Sequence, residues 1–172
     1  MIEIERTYLA KYIPKDIKNY PCREIMDIYV PKKIRHPVVR IRKSGDKFEI
    51  TKKQQIGNDP SKQKEETITL TKEEFEELSE VEGKRTRKIR YYYDYGNGKA
   101  EIGIFKDEKE GLVLIDFEFE SEEEENKFEM PDFCLVEVTD EEFLAGGMLC
   151  GKSYQDIEKD LKRFNYKKLF LD

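Results

Sequence analysis

The run Arg85-Thr86-Arg87-Lys88-Ile89-Arg90-Tyr91-Tyr92-Tyr93-Asp94-Tyr95-Gly96-Asn97-Gly98-Lys99-Ala100-Glu101-Ile102-Gly103-Ile104-Phe105 sets the architecture. Two stretches rich in aromatic and β-branched residues flank Gly-Asn-Gly, a sequence that tolerates positive φ and reverses an antiparallel hairpin. The pattern predicts a long strand over 85–95 and a return strand over 99–105. Lys88 and Arg90 are two residues apart, so both project from one side of the sheet; Glu101 on the returning strand offers the opposite charge.

Working outward, period-2 alternation continues through the first two thirds of the chain. Over 2–10, Ile2 and Ile4 oppose Glu3, Glu5 and Thr7. A strand over 24–30 is closed by Pro31. In the next, over 38–43, Val39 and Ile41 oppose Arg40 and Arg42. After Ser44-Gly45-Asp46 a strand over 47–53 sets Phe48 and Ile50 against Glu49, Thr51 and Lys53. Gly57, Asn58, Asp59 and Pro60 mark 54–62 as a loop. Over 63–70, Ile68 and Leu70 oppose Glu65 and Thr67, and over 112–120 Val113, Ile115, Phe117 and Phe119 share one face, opposite Asp116 and Glu118. Helices are expected after Thr71, which forms a capping box with Glu74, over the acidic stretch 121–127, and after Ser153, which pairs with Asp156. A short strand is expected over 136–139. The fold class is α+β, mainly antiparallel β with helices packed outside, in one domain spanning 1–172.

Composition narrows the function classes. Charged residues make up 41% of the chain and apolar residues 37%, yet ten Phe and ten Tyr supply a core that a disordered chain would lack. The net charge of −6 gives no basic excess for bulk nucleic-acid binding. Cys22, Cys134 and Cys150 have no metal-type spacing and read as reduced thiols. The opening Ile2-Glu3-Ile4-Glu5 is no signal peptide and no apolar run is long enough for a membrane span, so a cytoplasmic location is expected.

The distribution of sign is the informative feature. Charge at every second strand position usually marks a solvated sheet face. Here acidic pairs (Glu3 and Glu5; Asp116 and Glu118) and basic pairs (Arg40 and Arg42; Lys88 and Arg90) occupy separate strands, with Lys53 adding to the basic set. Arg and Lys suit phosphate oxygens, and carboxylates suit a hard cation such as Mg²⁺ or Mn²⁺. If the strands close into a barrel, that charged face becomes a lumen.

The same residues carry a resemblance. Glu3-Ile4-Glu5-Arg6-Thr7 resembles the E-x-E-x-K opening of CYTH proteins, the triphosphate tunnel metalloenzymes. Val39-Arg40-Ile41-Arg42 resembles their R-x-R strand, Ile50-Thr51-Lys52-Lys53 the strand that ends in an inward Lys, and Lys88-Ile89-Arg90-Tyr91 their K-x-R-Y. Glu101-Ile102-Gly103-Ile104-Phe105 resembles E-x-D-x-F, the segment from Gly111 to Glu118 resembles G-L-x-L-x-E-x-E, and Glu137-Val138-Thr139 resembles E-V-T. Seven motifs in order cover nearly the whole chain.

The resemblance implies a closed barrel of about eight strands and a divalent-metal-dependent hydrolase of a small-molecule triphosphate. It implies that Arg40, Arg42, Lys53, Lys88 and Arg90 position the phosphates, with Glu65 beside them. Glu3, Glu5, Glu101, Asp116 and Glu118 then hold Mg²⁺ or Mn²⁺, and Glu137 is a further candidate for the tunnel. An adenylyl cyclase acting on ATP and a non-catalytic polyphosphate binder are the alternatives, and a homodimer is among the expected assemblies. Two positions depart sharply from the pattern, Thr7 where the family has Lys and Gly103 where it has Asp; Asp116 in place of the more usual Glu is a milder change.

Overall fold

The computed structural model describes residues 2–96 and 98–171; the side chains of Asp59 and Pro60 lie outside the description, as does Asn97 at the tip of the expected Gly96-Asn97-Gly98 turn. The described residues form strands β1 (Ile2–Ala10), β2 (Cys22–Val30), β3 (Val39–Ser44), β4 (Lys47–Ile56), β5 (Asp59–Leu70), β6 (Lys84–Tyr95), β7 (Gly98–Phe105), β8 (Val113–Phe119) and β9 (Cys134–Glu137). The helices are α1 (Lys72–Ser79), α2 (Glu122–Lys127), α3 (Gly146–Leu149) and α4 (Tyr154–Lys162).

The strands hydrogen-bond in the order β5-β4-β3-β2-β6-β7-β8-β1-β9, and a further β5–β1 pairing closes the first eight into an antiparallel barrel. β1 closes the ring between β8, which it pairs over Ile4 to Leu9, and β5, which it pairs over Ile2 to Ile4; the later residues Tyr8 to Ala10 also pair with β9, outside the ring. The β6–β7 hairpin runs in the register expected from its turn, with Tyr95 opposite Gly98 and Arg90 opposite Gly103.

Two sequence expectations are corrected. The segment 54–62 is not a loop: β4 runs on to Ile56 and β5 begins at Asp59. Gly57, at φ 63°, and Asn58 make the reversal in two residues, so Ile56 pairs with Asp59; the register then shifts, and from Gln55 opposite Gln63 the ladder continues past the expected end. Gly and Asn at a tight turn give the same compositional signal as a longer loop, and only the cross-strand register separates them. The short strand expected over 136–139 lies earlier, at Cys134–Glu137, because β9 pairs with the last residues of β1.

The barrel is turned inside out relative to a barrel with an apolar interior. Val113, Ile115 and Phe117 of β8 point outward into a core shared with Tyr8, Ile102 and Phe133. A second cluster joins Leu9, Leu112 and Leu149 to Tyr154, Ile157 and Leu161 of α4. α1 lays Phe75 over Ile28 and Ile41. Each fully buried large aliphatic or aromatic side chain contributes about 1.5–3 kcal/mol, so these apolar clusters carry much of the stability. Both capping boxes form: Thr71 accepts from the Glu74 amide at 3.2 Å, and Ser153 from the Asp156 amide at 3.3 Å. Tyr93 and Tyr95 pack edge-on against Phe133 and Phe117, which is the strand-packing role their positions suggest.

Candidate functional site

With the outer face spent on the core, every second strand residue points into the lumen. The result is a cavity of about 620 Å³ lined by Glu3, Glu5 and Thr7 of β1, Asp27 and Tyr29 of β2, Arg40 and Arg42 of β3, and Thr51 and Lys53 of β4. Glu65 of β5, Lys88 and Arg90 of β6, and Asp116 and Glu118 of β8 complete the charged wall. The sequence-expected residues on different strands are thus brought into one chamber. Glu101, the remaining expected residue, sits opposite Asp116 in the β7–β8 ladder and forms an ion pair with Arg90.

The carboxylates divide into two groups. Oxygens of Glu3, Glu5 and Glu118 lie within 4.8 Å of one another, a spacing and donor chemistry that fit a hard divalent cation. Among the described residues no hydrogen bond or ion pair reaches the Glu5 side chain, and its acid is pushed up to about 7, first by burial and then by the nearby Asp116 carboxylate. Burial likewise raises Glu118, with Glu101 and Glu3 adding to it. Unpartnered, mutually repelling carboxylates in a half-buried chamber are costly without a cation to offset them. Glu101 and Asp116 are placed differently. They face Arg90, which lies 3.6 Å from Asp116, so the five carboxylates expected to act together split three and two.

The cations also divide. Arg42 is gripped by Asp27, Nε to Oδ1 at 2.7 Å and Nη2 to Oδ2 at 2.8 Å. Burial alone would raise Asp27, but the Arg42 guanidinium overrides it and holds that carboxyl well below the usual range. Lys53 touches both Glu3 and Glu65, the latter at 3.2 Å; burial opposes its charge, but Glu5 and Glu3 raise it well above an ordinary lysine. Arg40 is buried, and its Nε has no hydrogen-bond partner among the described residues. Lys88 is buried over the Phe105 ring, 5.3 Å from its centroid, and burial together with Arg90 lowers it to about 8. Arg40 and Lys88 therefore face the chamber with no carboxylate bound to them among the described residues.

Both sharp departures have a local structural account. Thr7 donates its hydroxyl to Asp116 at 2.9 Å, while its amide binds the Thr139 hydroxyl at 3.1 Å. A Cβ added at Gly103 would lie 3.2 Å from Cδ of Lys88, so the missing side chain makes room for the lysine stem. Asp27, by contrast, was not singled out from the sequence. Its signal was present: Ile25, Asp27 and Tyr29 share the inward parity of β2, and Asp27 is the acid on that face. Glu137 is corrected in the other direction. It lies outside the barrel, 3.9 Å from Arg6, which itself pairs with Glu125 at 3.1 Å on the outer face of β1.

Residues of the segment from Val138 to Leu149 form part of the chamber wall. The start of α3 abuts Tyr29 and the loop before β3 so tightly that a Cβ at Gly146 would sit 2.1 Å from the Tyr29 hydroxyl. One at Gly147 would sit 2.1 Å from the Pro37 carbonyl oxygen. The Gly146-Gly147 pair is thus a close-approach element of the wall, and His36 beside Pro37 borders the same chamber. No described helix is long and apolar enough to cross a membrane.

The fold has counterparts among solved structures. The inorganic triphosphatase NE1496 aligns with a TM-score of 0.63 and 24% identity, over 87% of this chain and 95% of that one. A candidate adenylyl cyclase from Hippeastrum, reported with a dominant triphosphatase activity, aligns with a TM-score of 0.54 and 10% identity over 96% and 90%. A candidate adenylate cyclase from Bacillus halodurans aligns at 0.51 and 17% identity over 99% and 93%. No protein-family model and no curated protein matches the chain. At these identities the likeness establishes the fold.

Proposed function

Starting from the triphosphate-tunnel fold that this chain shares with those proteins, we propose that it is a divalent-metal-dependent hydrolase of a small-molecule triphosphate. The observation that carries the reading is the opposition, in one lumen, of the Glu3, Glu5 and Glu118 triad to a row of cations from β3, β4 and β6. An extended polyanion can lie against Arg40, Arg42, Lys53, Lys88 and Arg90 at once, each cation meeting a different phosphate oxygen, with Glu65 steering Lys53. Arg40 and Lys88 need no partner exchanged before they bind. Arg42 is fixed in place by Asp27 and presents the remaining edge of its guanidinium.

Glu3, Glu5 and Glu118 would hold Mg²⁺ or Mn²⁺, with Asp116 and Glu101 behind them. The bound ion would supply charge neutralisation at the phosphate oxygens and a means of lowering the pKa of water. The protein's own contribution is positional and electrostatic. Fixed guanidinium and ammonium groups stabilise the charge that builds on the transferred phosphoryl group as a P–O bond to water forms and the bridging P–O bond breaks. The shorter phosphate chain leaves with the bridging oxygen.

The test is release of orthophosphate, pyrophosphate and cyclic AMP from tripolyphosphate, ATP and thiamine triphosphate, with Mg²⁺ and Mn²⁺ supplied separately. Orthophosphate from tripolyphosphate supports the hydrolase; pyrophosphate with cyclic AMP from ATP would replace it with a cyclase. One observation favours a second reading. Thr7 spends its hydroxyl on Asp116 and brings no amine to the chamber, so metal-dependent binding without turnover would identify a polyphosphate-binding module instead.

A further inference from the structure

Lys53 stands in a position that the triphosphatase reading does not by itself explain. It rises from β4 beside its cross-strand neighbour Glu65 and reaches over β5 to Glu3 on β1. Glu3 also belongs to the carboxylate triad. One side chain therefore serves two cations: the ammonium that holds it now, and the divalent ion that its neighbours Glu5 and Glu118 are spaced to receive. The other members of the triad have no such partner among the described residues. A divalent ion among these three carboxylates would lie within a few ångströms of the Lys53 ammonium, where the repulsion of like charges in a half-buried site is strong.

We propose that Lys53 is an internal counter-ion to the carboxylate triad, competing with the divalent cation for Glu3 and swinging toward Glu65 when that cation binds. This rests on the reading of the triad as the cation site. The exchange needs no backbone motion, because Glu65 Oε2 already lies 3.2 Å from Nζ and lysine is a point charge on a flexible stem. In the ion-free tunnel Lys53 limits the repulsion among Glu3, Glu5 and Glu118. Once displaced from Glu3, its ammonium is freed on the Glu3 side and becomes available to a phosphate oxygen. Cation binding and triphosphate binding are thereby coupled through one residue, and by linkage each ligand must favour the other.

The experiment measures Mn²⁺ binding alone, with no phosphate present, by calorimetry and by the loss of the free-ion EPR signal. It compares the wild type with Lys53→Met, Lys53→Gln and Arg40→Met. Arg40→Met removes the same charge from the same lumen, but Arg40 makes no ion pair with Glu3, Glu5 or Glu118 among the described residues. It therefore measures the general field effect. The expected result is that both Lys53 variants bind Mn²⁺ about ten- to a hundredfold more tightly than Arg40→Met does, the range of one charge-assisted hydrogen bond that no longer has to be broken. Tightening no greater than in Arg40→Met overturns the competition while leaving the cation site standing. Weaker binding in folded Lys53 variants overturns it too, since Lys53 would then organise the triad rather than compete for it. Absence of Mn²⁺ binding in every protein removes the cation site itself and the metal-dependent reading with it. Far-ultraviolet circular dichroism of each variant establishes which proteins are folded, and Lys53→Gln keeps the comparison if Lys53→Met is not.

Discussion

Asp27 and Arg42 face each other across the β2–β3 ladder and are joined by two hydrogen bonds, at 2.7 and 2.8 Å, with both side chains buried. Removing one member leaves a buried charge without its counter-charge, so Asp27→Ala should destabilise the protein by about 3–5 kcal/mol at pH 7. The pH dependence has a definite sign. The folded Asp27 carboxyl titrates below its ordinary value, so its contribution is complete above the unfolded value and is lost as pH falls through the folded one. Urea unfolding of wild type and variant should show the difference intact at pH 7 and shrinking below about pH 4.

Glu5 gives the opposite sign. Its folded acid is raised from 4.5 to about 7, so its favourable contribution is complete below the unfolded value and lost as pH rises through the folded one. In EDTA, Glu5→Gln should melt higher than the wild type at pH 8 and lose that advantage at pH 4. Added Mg²⁺ should stabilise the wild type more at pH 8 than at pH 5, because protons compete for the same carboxylates. Thermal melts at these pH values, with and without Mg²⁺, decide it.

Arg40 has a buried Nε without a hydrogen-bond partner among the described residues, so Arg40→Ala should weaken tripolyphosphate binding by about 1.5–3 kcal/mol without the folding penalty expected at Arg42. Calorimetry should also find tripolyphosphate bound more tightly than orthophosphate in the wild type. Equal, weak affinity for the two anions would remove the extended phosphate site.

Thr7→Lys places an amine beside Asp116, whose Oδ1 now accepts the Thr7 hydroxyl at 2.9 Å. If the missing amine limits the chemistry, kcat for tripolyphosphate should rise while affinity stays similar or tightens modestly. A fall in an already substantial kcat would mean that the threonine belongs to a different attack geometry.

Gly147→Ala sets a methyl group against the Pro37 carbonyl oxygen, a backbone atom that cannot turn aside. Overpacking of this kind costs about 1–3 kcal/mol, measurable as a lower urea midpoint. Because α3 lines the chamber, the same variant should also alter the relative rates on tripolyphosphate and ATP.

The sequence alone determined that each strand exists and which side of it carries charge, but not the far end of β4, the start of β5 or the bounds of β9. Period-2 alternation is a local property: once Ile115 and Phe117 are outward, Asp116 and Glu118 must be inward, whatever the partner strand. The capping boxes at Thr71 and Ser153 were legible for the same reason, since both partners lie within one turn. The motif order pointed to the closed barrel, and the β5–β1 pairing bears that out. What the tertiary structure decided is which charges meet. That Asp27 holds Arg42, that Lys53 reaches from β4 over β5 to Glu3, and that Arg90 takes Glu101 and Asp116 away from the triad all depend on register and barrel curvature. So does the exclusion of Glu137, which β9 carries to the outer edge of β1. These relations join residues from 15 to 50 positions apart in the pairs Arg42–Asp27 and Lys53–Glu3. Coulomb energy depends on distance in space, and alternation along a strand fixes only the direction in which a charge points.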